Sequence, residues 1–115
     1  MSYDYMLARA DVSGGLEGFA ESASTNPIGP AEVLKNSISD LYPTVLWKKM
    51  AASRASGAHS WVGLKGPPEF YLLETADGDA YWLGMSHCER DAVERVARSL
   101  GLVAMDEHSM EVFSG

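Results

Sequence analysis

Apolar and polar residues alternate loosely through "YDYMLARA" (3–10), the pattern of a first strand. The following "DVSGGLEGFAESASTNPIGP" (11–30) has no clear period and is dominated by Gly, Ser, Asn and Pro. It predicts a long connection with one short helical turn around Leu16–Ala20, of a length that is often functional. Val33, Leu34, Ile38 and Leu41 then recur at helical spacing. Pro30 suits the first turn of that helix, Glu32 favours its dipole, and Pro43 ends it near Leu41. "TVLWKKM" (44–50) reads as a second strand, "AASRASGAHS" (51–60) as a loop, and "SWVGLK" (60–65) as a third strand.

The segment "EFYLLETADGDAYWLGM" (69–85) sets two apolar runs either side of Asp77–Gly78, the dipeptide of a type I′ turn, and predicts a β-hairpin. A two-residue loop would set Glu74 opposite Tyr81, Leu73 opposite Trp82 and Leu72 opposite Leu83. Phe70, Leu72, Leu83 and Met85 then share one face, directed at the helices. Tyr71, Leu73 and Trp82 share the other, where Trp47 and Trp61 from neighbouring strands would join them. Both faces are apolar, which places the hairpin centrally or leaves one face for a partner.

In "GMSHCERDAVERVARSLGL" (84–102), Ser86 and Glu89 have the spacing of a capping box, and Val93, Val96, Ala97 and Leu100 form a buried stripe. Gly101 fits the left-handed position after the helix, with Leu102 as its hydrophobic contact. Short strands should follow at Val103–Met105 and Met110–Phe113. The expectation is one α+β domain over 1–115, a two-layer sandwich in the order β-α-β-β-β-α-β. Its four- to six-stranded, mainly antiparallel sheet would carry two helices on one face.

Composition narrows the function. The chain has 115 residues, 46% apolar and 22% charged, which is globular. A single cysteine and the lack of a signal-like or membrane-length apolar run point to the cytoplasm. The net charge of −7 disfavours nucleic acid as a partner. Charge is nonetheless uneven: residues 45–67 carry Lys48, Lys49, Arg54 and Lys65 and no acid. That segment reads either as a solvated basic loop or as one contacting an anion or a partner.

Candidate chemistry is thin. Cys88 would fall in the first helical turn, where the dipole lowers a thiol's pKa. His87 points about 100° away around the helix and is poorly placed as its base. Glu89 and Asp91 oppose the thiolate, and the capped helix start accounts for these residues. His59, His87 and His108 lack metal-ligand spacing, "DGD" (77–79) lacks the remaining ligands of a calcium loop, and "DEH" (106–108) reads as a turn. "SGGLEG" (13–18) has no P-loop lysine. No metal or cofactor is expected.

"SYDYML" (2–7) and "LGLVAMDEHSMEVF" (100–113) resemble segments of small bacterial single-domain α+β proteins, compact acidic immunity proteins among them. The resemblance implies a protein that binds and neutralises another protein. Its motifs are structural, so no functional residue carries over. The expected function is therefore a non-catalytic binding protein, of immunity or inhibitor type. It would engage another protein, or a second copy of itself, through Tyr71, Leu73, Trp82, Trp47 and Trp61 and an acidic surface. Two alternatives stand beside it. One is a small enzyme or ligand-binding domain with a pocket near the 11–29 and 49–60 loops, using Cys88 or His59. The other is nucleic-acid binding through the basic segment and its aromatic neighbours.

Overall fold

Every strand pairs antiparallel with its neighbours. The computed structural model describes residues 4–52, 58–65 and 68–114, with backbone only at 51 and 52. Their order is β1 (Tyr5–Ala8), a 3₁₀ turn (Val12–Gly14), α1 (Gly15–Thr25), β2 (Gly29–Pro30), α2 (Ala31–Leu41), β3 (Leu46–Ala52) and β4 (His59–Leu64). There follow β5 (Glu69–Glu74), β6 (Asp79–Ser86), α3 (Arg90–Leu100), β7 (Val103–Asp106) and β8 (Val112–Ser114). The sheet runs β3-β4-β5-β6-β1-β7-β8, and β2 pairs with β6 beside the end of β1. The fold is α+β, with eight strands and three helices among the described residues, where four to six strands and two helices were expected.

Register assigns the faces. One row across the sheet reads Lys49, Trp61, Leu72, Leu83, Leu7, Ala104, Phe113. The adjacent row, on the opposite face, reads Lys48, Val62, Tyr71, Gly84, Met6, Met105, Val112. The first face packs on α2 and α3. Its core joins Leu7, Phe70, Leu72, Leu83 and Met85 to Leu34, Ile38, Val93 and Val96. The second face carries a smaller core of Ala8, Val103 and Met105 closed by Phe19 of α1. The two-layer expectation fails here, because α1 adds a helix to the far face.

α1 lies wholly within the segment read as a connection. Its weak helix formers, Gly18 and three Ser or Thr residues, conceal it, and Phe19 is its one buried residue. Packing rather than propensity therefore holds it. Asp11 accepts a bond from the Ser13 backbone N–H at 3.0 Å to set the preceding turn. In α2, Pro30 stands at the N-cap and Ala31, Leu34, Lys35 and Ile38 are buried. Val33, expected in the core, is 58% exposed. The aliphatic stem of Lys35 replaces it, one helical turn before Ile38.

The hairpin loop also differs. The Thr75 carbonyl accepts from the Gly78 N–H at 2.9 Å, and the Thr75 N–H donates to the Asp79 carbonyl at 2.8 Å. Gly78 alone takes a positive φ, of 88°, so the loop has three residues, a type I turn closed by a left-handed glycine. Leu72 pairs with Leu83 but Glu74 pairs with Ala80, not Tyr81. One residue of β5, Leu73, thus faces two of β6, Tyr81 and Trp82: a β-bulge.

The last helix begins at Arg90, with Glu89 at its N-cap, and the expected capping box is not formed. Ser86 still belongs to β6 and donates its hydroxyl to Tyr71 instead. The C-terminal end follows the Gly101 expectation: φ is 68°, and the Leu102 N–H returns to the Ala97 carbonyl at 2.8 Å. Arg90 grips Glu111 with two nitrogens, each at 3.0 Å, tying the start of α3 to the loop before β8. No described helix is long and apolar enough to cross a membrane.

Candidate functional site

α1 contacts β1, β6, β7 and β8, so no described helix packs over the far face of β3, β4 and β5. Alternation in these strands sends Met50, Val62, Tyr71 and Leu73 to that half, and the bulge adds Trp82. Met50, Val62, Tyr71, Leu73 and Trp82 line a depression of about 280 Å³ there, with Ser60 as a polar member. A second depression, of about 510 Å³, lies between α1 and the sheet, lined by Met6, Leu16, Phe19, Met105, Met110 and Trp82. Trp82 belongs to both walls. Gly84 stands between Tyr71 and Met6 in the row.

Tyr71 is held in place. Its hydroxyl donates to Glu69 Oε1 at 2.8 Å and accepts from the buried Ser86 hydroxyl at 3.3 Å. Burial is the largest influence on the phenol and raises its pKa above the ordinary value. It remains a neutral, amphipathic ring at physiological pH, the chemistry enriched at protein interfaces.

Two of the expected aromatics are elsewhere. Trp47 stands in the row of Gly63 and Phe70, on the helix side, with its ring centroid 6.2 Å from that of Phe70. Its indole N–H donates to Ser39 Oγ of α2 at 3.2 Å. Trp61 pairs with Leu72, also on the helix side, and its N–H donates to Glu74 Oε1 at 2.8 Å. Trp61 borders the smaller depression, but its ring lies against Lys35 beneath α2. The far face therefore gathers Tyr71, Leu73 and Trp82 without either indole. In their place it has Met50 and Val62, which a search for aromatics overlooks although their strand parity is legible.

The basic residues do not form one loop. Lys48 and Lys49 are consecutive in β3 and project to opposite faces. Lys49 Nζ lies 5.8 Å from the Trp61 ring, and Lys65 is exposed after β4 with φ at 71°. Arg54 lies outside the described residues. Residues 49–52 and 59–60 of the expected loop belong to strands. α1, on the other flank of the far face, carries exposed Glu17 and Glu21 and no base.

Cys88 precedes α3 rather than entering its first turn, so the helix dipole argument for it lapses. It is half-buried, and burial, then the charge of Asp4, pushes its thiol up to about 11. That is the reverse of an activated nucleophile. His87 is exposed, with φ at 55°, and its ring nitrogen lies 4.0 Å from Glu69. His108 contacts Asp4 at 3.2 Å. His87 and Cys88 border a cavity of about 670 Å³, lined also by Tyr42, Pro68, Glu89 and Asp91. His59 Nδ1 is buried with no hydrogen-bond partner among the described residues. No group of three or more His, Cys, Asp and Glu among the described residues is suited to a metal ion.

No family model, curated protein or solved structure matches the chain.

Proposed function

We propose that this is a non-catalytic binding protein, of immunity or inhibitor type, that engages another protein through the far face of β4, β5 and β6. The observation that carries the reading is Trp82, shared by two apolar depressions on the part of the sheet beside α1. A large aromatic flanked by hollows can act as anchor and receive anchors in return, the arrangement of an interface hot spot. The surface is also polarised. Glu17 and Glu21 lie on one flank and Lys48 on the other, so a partner of complementary charge is oriented as it docks. The raised thiol of Cys88 supports the non-catalytic side of the reading.

The test is capture by the tagged protein from a lysate of its source organism, compared with Trp82→Ala and Tyr71→Ala variants of native circular dichroism. The expected result is a near-stoichiometric partner that both variants lose. A partner retained by both variants would refute this surface. Recovery of a second copy alone, confirmed by sedimentation, would make the partner the chain itself.

A second reading has its own observation. The 510 Å³ depression under α1 is lined almost wholly by apolar side chains, three of them methionine, and suits an apolar small molecule. Displacement of a fluorescent apolar probe, abolished by Phe19→Trp filling of the depression, would favour it.

A further inference from the structure

β3 is an edge strand of seven residues that pairs with β4 alone among the described residues. The opposite edge, β8, has three. Along β3, Leu46, Lys48, Lys49 and Met50 are all exposed, with Leu46 at 54% and Met50 at 42%. An edge of this length presents unpaired N–H and C=O groups to any extended chain. We propose that β3 accepts an extended segment of a partner protein as an added strand, and that this segment carries two adjacent carboxylates opposite Lys48 and Lys49. The proposal rests on the reading that the protein binds another protein, and names the part of the partner that meets the edge.

Charge selects the occupant. Residues 45–67 hold four bases and no acid, in a chain of net charge −7. Neither Lys48 nor Lys49 forms an ion pair among the described residues. Their cross-strand neighbours in β4 are Val62 and Trp61, so β4 sets no counter-charge opposite them. A second copy fits poorly: two β3 strands paired about a two-fold axis would set Lys48 and Lys49 of one copy against those of the other. An acidic strand reverses that sign.

Side-chain alternation completes the pattern. Leu46, Lys48 and Met50 project to the far face, and Lys49 projects to the helix side. The complementary strand therefore reads apolar, any, acid, acid, apolar against residues 46 to 50. Its apolar side chains extend the surface that ends at Met50, while backbone bonds along the edge supply affinity.

The probe is a capped peptide, Thr-Val-Glu-Glu-Thr-Val, titrated to millimolar concentration into the ¹⁵N-labelled protein. The expected result is saturable amide shifts confined to Leu46–Met50 and the facing part of β4. Lys48→Glu/Lys49→Glu should weaken binding by about tenfold or more, and the peptide with lysines replacing its glutamates should not bind. Should the charge-reversed variant misfold, Lys48→Thr/Lys49→Thr and a loss of affinity with rising salt read the same contact. Trp82→Ala should leave the peptide bound, which separates failure at the edge from failure of the far face. Absent shifts, or shifts indifferent to the charge of residues 48 and 49, would overturn the proposal and leave the two lysines as guards against edge pairing.

Discussion

The ammonium nitrogen of Lys35 lies 3.2 Å from the centroid of the Trp61 ring. The same indole donates its N–H to Glu74, so a cation meets its electron-rich face and a carboxylate meets its electron-poor edge. This clasp joins α2 to β4 and β5 and explains why Trp61 is withdrawn from the far face. Trp61→Ala should lower stability by about 2–4 kcal/mol, measured by urea unfolding, because it removes a large ring and leaves the buried Lys35 with Glu32 as its one ion-pair partner among the described residues. Trp61→Phe should lose about 1 kcal/mol, the share of the N–H bond. An unchanged unfolding midpoint in Trp61→Ala would show that the clasp does not stabilise the sheet.

Gly63 makes the other tryptophan possible. A Cβ at this position would meet Val45 Cγ2 at 2.9 Å, and Phe70 Cβ and Trp47 Cζ3 at 3.2 Å each. Two of these neighbours are ring-bearing residues packed on the core, and they have little room to retreat. Gly63→Ala should therefore destabilise the protein by about 1–3 kcal/mol through overpacking. Trp47 fluorescence should also change, since its ring must leave Phe70. A variant as stable as the parent would show that the Trp47 indole can move aside freely.

Strand parity and turn residues carried much of the fold in the sequence. The hairpin pairing of Leu72 with Leu83, the buried faces of Phe70 and Met85, and the glycine stop of α3 are local consequences of period and turn chemistry. Three features were not legible, each for a physical reason. α1 has little intrinsic propensity, and one residue, Phe19, holds it through contacts distant in sequence. The bulge at Tyr81 and Trp82 follows from a three-residue loop in place of the two suggested by Asp-Gly, so register slipped by one beyond Leu72. The face of Trp47 depends on pairing with Gly63, and aromatic content alone cannot supply that parity. At the candidate site, Tyr71, Leu73 and Trp82 were legible from the hairpin, whereas the second depression could not be seen without α1.

The thiol of Cys88 gives a pH signature. Its ordinary pKa near 9 is pushed up to about 11 by burial and by Asp4. Between those values the native thiol keeps its proton while the unfolded chain releases it, so stability should fall as pH rises across that interval. At pH 8 its thiolate population should be about a hundredfold below that of an unperturbed cysteine, and alkylation correspondingly slow. Asp4→Asn should speed alkylation by removing the smaller of the two influences. Iodoacetamide kinetics in the native state measure the thiolate population and the effect of Asp4→Asn, and urea unfolding at a series of pH values measures the loss of stability. A rate matching free cysteine at pH 8 would contradict this environment and restore Cys88 as a candidate nucleophile.

Phe19 is the single buried residue of α1, and its packing on Met6, Val103 and Met105 anchors the helix to the sheet. Truncation to alanine removes about 3–5 kcal/mol of core packing. The main core across the sheet shares no residue with this one, so the loss should fall on α1 first. Hydrogen exchange should show the α1 amides in Phe19→Ala losing protection, while β4, β5 and β6 keep theirs. The far face would then present a wider apolar surface and bind a dye such as ANS. Partner capture distinguishes two roles for the helix. A partner bound only by Tyr71, Leu73 and the near side of Trp82 should tolerate the loss of α1. One that also grips the second depression should be released, because half of that wall is α1 itself. Simultaneous loss of protection in every strand would instead make α1 part of one cooperative unit with the sheet.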